Sequence, residues 1–198
     1  NQLKTTKASA VVVFKEVKCP AALLITDDPY YAFRQIVVLL HGHRRHPDAG
    51  ISPEDVVIIK FRDSDGLVYP CLTYRPETVY GAVNIWVHPD HEYLIVEVND
   101  EKWVLGEYGA SELADQGHKV RVTGKVKGSE LIGRLVFNPV TGMKIPVFPA
   151  LFVDPESGTG IVMSVPAHAP YDYAALRDLQ GGLYAKYGLD KELVDSVK

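Results

Sequence analysis

Cysteine is scarce in this chain: Cys19 and Cys71 are the two present among 198 residues, far apart and without a C-x-x-C pair. That excludes a disulfide framework and a cysteine-built zinc cage, and a reducing cytoplasm is the expected compartment. Long apolar runs are missing too, since none reaches the roughly 18 residues that span a bilayer. The first residues do not show the charged, apolar and small-residue succession of a signal peptide, so no membrane association is expected. An excess of positive charge is also lacking: 21 Lys and Arg against 25 Asp and Glu leave a formal net charge of −4. Neutralisation of phosphates by Lys and Arg supplies most non-specific affinity for nucleic acid, so the charge balance argues against a freestanding nucleic-acid binder. A nucleic acid would be held by another part of a larger protein, or touched only at one end. Neither a G-x-S-x-G elbow nor a G-x-x-x-x-G-K-[ST] loop is present, and SGTGIVM at 157–163 falls short of G-x-G-x-x-G because only Gly158 and Gly160 are in place.

What is present can build a core: 46% of the residues are hydrophobic and 23% charged, and the length accommodates one or two domains. Within residues 1–50, a β-prone run at 11–14 precedes Asp28-Pro29, an N-cap and first-turn pair that predicts a helix over 30–40. His41, His43 and His46 in HGHRRHPDAG raise the question of a metal, but Arg44 and Arg45 oppose a cation and no carboxylate or cysteine completes a set there. A solvated basic loop is expected. From residue 55 strands dominate. Runs at 56–61 and 67–72 flank RDSDG, whose Asp65-Gly66 step signals a hairpin. Further strands are predicted at 84–87, 93–98 and 102–105, the last two joined by a turn at 99–101. A helix is predicted over 106–116. Residues 118–126 alternate as a half-buried strand, with Val120, Val122 and Gly124 inside and a basic outer face that is at least as well read as a charged sheet edge as a nucleic-acid contact. Prolines 139, 146 and 149 break 135–153 into short bent strands. A helix over 170–179 is predicted to bury Tyr173, Leu176 and Leu179, and a second to begin after Asp190. The ending KELVDSVK, with no closing motif, is expected of a piece of a longer polypeptide.

Two stretches carry chemistry. In TYRPETVYG, 73–81, Arg75 can fork onto a carboxylate or phosphate, while Thr73 and Thr78 offer hydroxyls and methyl walls beside Tyr74, Glu77 and Tyr80. This mixture suits a small polar ligand with an apolar part, although the same residues could form a threonine-capped turn with a Glu–Arg pair. In SGTGIVMSVPAHAPYDY, 157–173, Gly158 and Gly160 permit close backbone approach, Met163 and Val165 share one strand face, and His168 and Asp172 follow Pro166. An aspartate at a helix start usually serves the helix N-terminus, but it can equally hold an ammonium group.

Taken together, TYRPETVYG, GTGIVMSVPAHAPYDYAAL and the intervening NPVTG…FPALFVD resemble the editing domain, connective polypeptide 1, of leucyl-tRNA synthetases of the archaeal and eukaryotic-cytosolic type. The resemblance covers 53–198, leaving 1–52 as a poorly matched N-terminal segment. It implies an α/β fold of the α+β kind, with a mixed sheet, a β-barrel-like core and flanking helices. It also implies hydrolysis of mischarged leucine tRNA, such as isoleucyl- or norvalyl-tRNA(Leu), at the tRNA 3′ end. The expected partners are that tRNA and the rest of the synthetase, with the chain itself monomeric. No cofactor or metal is expected for editing, because ATP and Mg serve the synthetic domain; the HIGH and KMSKS signatures are absent, and HGHRR is not HIGH. Matched residue by residue, Asp172 anchors the substrate α-amino group, Thr78 blocks leucine, and Met163 and Val165 wall the pocket. Thr73 and Arg75 belong to the threonine-rich lining, and His168 lies in the matching loop as a candidate base. Tyr74 departs from the threonine of many bacterial members. Two other readings accompany this one: a valyl- or isoleucyl-type editing domain, and a non-catalytic module binding an amino acid or aminoacyl-adenosine.

Overall fold

The computed structural model describes residues 10–13, 22–25 and 56–197. The chain divides into two units, Asn1–Gly50 and Ile51–Lys198. In the first, β1 (Ala10–Val13) and β2 (Ala22–Ile25) pair in parallel. The helix expected over 30–40 and the histidine-bearing loop lie outside the described residues.

Among the described residues the second unit contains nine strands: β3 (Val57–Asp63), β4 (Val68–Thr73), β5 (Asn84–Val87), β6 (Glu92–Val98), β7 (Glu101–Leu105), β8 (Val120–Lys127), β9 (Leu135–Phe137), β10 (Lys144–Pro149) and β11 (Ile161–Ser164). They form one mixed sheet in the order β11-β5-β10-β9-β3-β4-β7-β6-β8. Helices α1 (Glu107–Asp115), α2 (Gly128–Leu131), α3 (Pro170–Gln180) and α4 (Lys191–Asp195) flank it, with 3-10 turns at Pro76–Gly81 and Leu183–Tyr187. Among the described residues the sheet is open, with β11 and β8 at its ends, so no hydrogen-bonded closure makes it a barrel. The turn chemistry follows the residues that supply it. Gly66 takes φ 82° in the β3–β4 hairpin, and Asn99 and Asp100, both at positive φ, make the two-residue turn between β6 and β7.

Strand β5 is buried along its whole length because both of its faces are covered. Ile85 and Val87 enter one core with Phe61, Tyr69, Ile161 and Met163. Trp86, pointing the other way, enters a second core with Phe148, Leu176, Leu179 and Val194, which α3 and α4 close from outside. Strand β10 changes ladder along its length, pairing with β9 through Lys144–Pro146 and with β5 through Val147–Pro149.

Two expected faces are corrected. Val122 is 56% exposed, not inward-facing. Val122 stands opposite the buried Val96, but on an edge strand with a neighbour on one side only among the described residues, and the bulge that skips a residue between Gly124 and Val122 sets Gly124, opposite Ile95, on the other face. Two of the basic residues of this edge are paired across the ladder, Arg121 with Glu97 and Lys125 with Glu92, which fits a solubilised edge. On α3 the buried positions are Asp172, Leu176 and Leu179, while Tyr173 is 57% exposed. Spacing of four and then three residues selects this face, and it turns a carboxylate inward where an aromatic ring was expected.

Candidate active site

Strand β4 delivers Thr73 to the edge of a self-braced loop. The Arg75 amide donates to Thr73 Oγ1 at 3.0 Å, and the Arg75 carbonyl accepts both the Thr78 amide at 3.0 Å and the Thr78 hydroxyl at 2.7 Å. Arg75 Nε donates to Glu77 Oε1 at 2.5 Å, and this bond, before any other influence, holds the Glu77 carboxyl below the usual carboxylate range. Both partners are exposed, so the pair fixes the loop's shape more than it adds stability. The capped turn and the Glu–Arg pair legible in TYRPETVYG therefore form, with Tyr74 and Tyr80 left at the surface.

The second stretch lies alongside this loop. Strand β11 pairs antiparallel with β5, setting Met163 opposite Ile85 and Ser164 opposite Asn84. The Val83 amide donates to the Ser164 carbonyl at 3.1 Å, and a Cβ placed on Gly81 would stand 3.4 Å from Val165 Cγ1. At the other end of β11, a Cβ on Gly158 would lie 3.7 Å from the Leu72 side chain. His168, exposed on the bend after β11, lies close enough to Glu77 to contribute to lowering its carboxyl. The two motifs thus lie side by side.

Asp172 sits at the inner side of this junction. Although it stands in the first turn of α3, it does not cap that helix. Its Oδ1 accepts the indole N–H of Trp86 at 3.0 Å and its Oδ2 accepts the Val165 amide at 2.6 Å. Asp172 is 4% exposed. Burial raises its carboxyl to about 6, against the two donors, which favour the charged form. Each oxygen retains a lone pair, so an ammonium group brought to this point would meet a fixed, largely desolvated anion.

The remaining expected residues fall into three settings. Thr73 and Thr78 are half-buried, while Tyr74, Arg75, Glu77 and His168 are exposed around them. Met163 on β11 and Val165 just beyond its end are buried and join the first core. The close approaches allowed by the glycines are made within the protein. Gly160, at φ 74°, packs against Pro155 and Gly106, and its carbonyl accepts the Tyr93 hydroxyl at 2.9 Å. A separate cavity of about 310 Å³, lined by Asp63, Arg134, Phe137 and Lys144 among others, contains none of the residues singled out from the two motifs.

Residues that sequence reasoning missed are Trp86 and its neighbours on the same face. Asn84 and Ser164 are fully buried, and their side-chain polar atoms have no hydrogen-bond partner among the described residues. The available signal was NIWV: with period-2 alternation, an amide and an indole N–H share one face of a strand whose other face is aliphatic.

A mixed nine-stranded sheet with flanking helices, two adjoining loops and a buried carboxylate beside its edge strand is the arrangement of a small α+β domain. Comparison makes it specific. Residues 57–181 match the family model for the leucyl-tRNA synthetase editing domain. The chain is 56% identical over 162 residues to leucine–tRNA ligase of Aeropyrum pernix, covering 79% of this chain and 17% of that protein. It is 49% identical over 153 residues to the leucine–tRNA ligase of Methanothrix thermoacetophila, covering 77% and 16%. Among solved structures, GlLeuRS-CP1 superimposes with a TM-score of 0.68 at 28% identity, covering 73% of this chain and 69% of that one. The P. knowlesi cytosolic leucyl-tRNA synthetase editing domain shares the fold, with a TM-score of 0.64 at 19% identity over 70% and 67% of the two chains. The chain belongs to the leucyl-tRNA synthetase editing domain family. It spans about a sixth of the length of these two ligases.

Proposed function

We propose that this chain is the hydrolytic editing domain of a cytoplasmic leucyl-tRNA synthetase, removing non-cognate amino acids such as isoleucine or norvaline from leucine tRNA. A synthetic site rejects an amino acid differing by one methylene only about 10- to 200-fold, so a second, hydrolytic pocket is required for higher fidelity. In the reaction, a water oxygen attacks the ester carbonyl carbon. The tetrahedral oxyanion then collapses, expelling the ribose oxygen, which takes a proton to leave free tRNA and a free amino acid. Asp172 holds the α-ammonium group, Thr73 and the backbone around it orient the water, Thr78 limits side-chain size, and His168 stands at the rim as the candidate base. No metal or cofactor takes part; ATP and Mg serve the synthetic part of the enzyme. With a net charge of −4, the domain touches only the tRNA 3′ end, and the rest of the synthetase holds the tRNA body.

The observation that carries this reading is the Asp172 carboxylate, pinned by two donors where the two motifs meet. The test is deacylation of isoleucyl-tRNA(Leu) by the intact protein, paired with calorimetry on an aminoacyl-adenosine analogue in which an amide replaces the ester. Turnover with the wild type, and a loss on the order of 100-fold with Asp172→Ala, is the expected result. Binding of the analogue without turnover would instead make this a recognition module.

A further inference from the structure

Asp172 is diverted from the ordinary task of an acid in a first helical turn. Such a residue favours its own helix N-terminus, yet both Asp172 oxygens are engaged elsewhere, by donors at the junction of β5 and β11. One donor is a main-chain amide that any sequence would supply. The other is a side chain 86 residues away, the indole of Trp86. That ring cannot turn away. It is fully buried, its centroid lies 6.2 Å from that of Phe148 in a tilted pair and 5.8 Å from that of Phe152 edge-on, and its strand is paired on both sides. A carboxylate held at one oxygen can rotate about its last bond; held at both by donors from different residues, it presents its free lone pairs in one direction.

We propose that Trp86 is the positioning residue of the site: its indole N–H fixes the Asp172 carboxylate plane so that the remaining lone pairs meet a substrate's α-ammonium group. This rests on the reading of Asp172 as the ammonium anchor. Trp86 itself touches no substrate atom. It acts through Asp172, and the Phe148 and Phe152 rings serve to hold it. The donors also favour the ionised carboxylate, the form an ammonium group needs, against the burial that opposes it.

The test separates the donor from the bulk. In the intact protein, Trp86 is replaced by 3-benzothienylalanine, which keeps the bicyclic shape and exchanges the N–H for sulfur. Trp86→Phe serves as a second variant. Two probes are titrated calorimetrically: an isoleucyl-adenosine analogue with an amide in place of the ester, and the same molecule lacking its α-amino group. The wild type is expected to prefer the amino-bearing probe. The sulfur variant is expected to lose on the order of tenfold in affinity for that probe and to bind the des-amino probe as before. A purely structural Trp86 would weaken both equally or neither, and a wild-type preference retained in the sulfur variant overturns the proposal. A wild type indifferent to the α-amino group is a distinct result, which removes the anchoring reading of Asp172 and this proposal with it.

Discussion

The hydroxyl hydrogen of Thr78 is committed to the Arg75 carbonyl 2.7 Å away, so Thr78 can offer a ligand its bulk and its oxygen lone pair but no proton. A gate against leucine would therefore act by volume. Thr78→Ala opens the space, and hydrolysis of leucyl-tRNA(Leu) is expected to rise by roughly the 10- to 200-fold that a methyl-sized difference is worth in an apolar pocket. Thr78→Val keeps the volume, discards the hydroxyl and is expected to leave leucine protected. Deacylation of leucyl-tRNA(Leu) by both variants decides the matter: if Val behaves as Ala does, the hydroxyl and its brace to Arg75 do the gating, and if Ala leaves leucyl-tRNA untouched, Thr78 is no gate.

At the scale of elements, loop 155–160 is held by helix α1 through backbone contact that leaves no room for a side chain. A Cβ on Gly109 would lie 2.6 Å from the Gly158 carbonyl oxygen, and one on Gly106 would lie 2.2 Å from that of Pro155. The Gly106 amide donates to the Thr159 carbonyl at 2.9 Å, which fastens the two together. Gly109→Ala is a good substitution for an isolated helix, worth up to about 1 kcal/mol in propensity. Here it is expected to destabilise by about 1–3 kcal/mol, because backbone must move. Thermal unfolding should show a lower midpoint, by roughly 2–4 °C per kcal/mol for a unit of this size, and an unchanged or raised midpoint would mean that the loop yields freely. The sequence marks the α1 region as helical and does not reveal these glycines as packing residues, since the atoms they admit lie some fifty positions away. The same division holds elsewhere. Strand β5, the Asp65-Gly66 hairpin and the helix capped by Asp190, whose carboxylate accepts the Glu192 amide at 3.1 Å, follow from local periodicity and turn chemistry. The bulge in β8, the inward turn of Asp172 and its bond to Trp86 depend on which strand lies next to which, and pattern along one strand carries no record of that. Of the site, both motifs and their pairing were legible, whereas Trp86, Asn84 and Ser164 were not, because polar atoms on a buried strand become informative only once the covering helix is in place.

For the molecule as a whole, two carboxyls bend stability with pH in opposite directions. Glu101 accepts Lys60 Nζ at 2.7 Å, Trp103 Nε1 at 3.1 Å and Arg62, and these donors, led by Lys60, hold it down at about 2. A carboxyl lowered in the folded state adds stability above its unfolded value, lost as pH falls toward 2. Asp172 behaves in reverse. Its carboxyl is raised from 3.8 to about 6, so the folded state binds the proton more tightly than the unfolded one, and stability declines as pH climbs between those values, by about 3 kcal/mol at most. The ionised carboxylate is thus kept at a cost to the fold, which is what the proposed binding role of Asp172 requires. Asp172→Asn cannot ionise, so whatever constant offset the substitution brings, wild-type stability minus variant stability is expected to fall by up to about 3 kcal/mol from pH 4 to pH 7. Urea unfolding at a series of pH values measures this through tryptophan fluorescence, since both tryptophans, Trp86 and Trp103, are buried in the second unit. Parallel curves for the two proteins across that range would mean that Asp172 ionises in its pocket without cost, and that the two donors offset its burial completely.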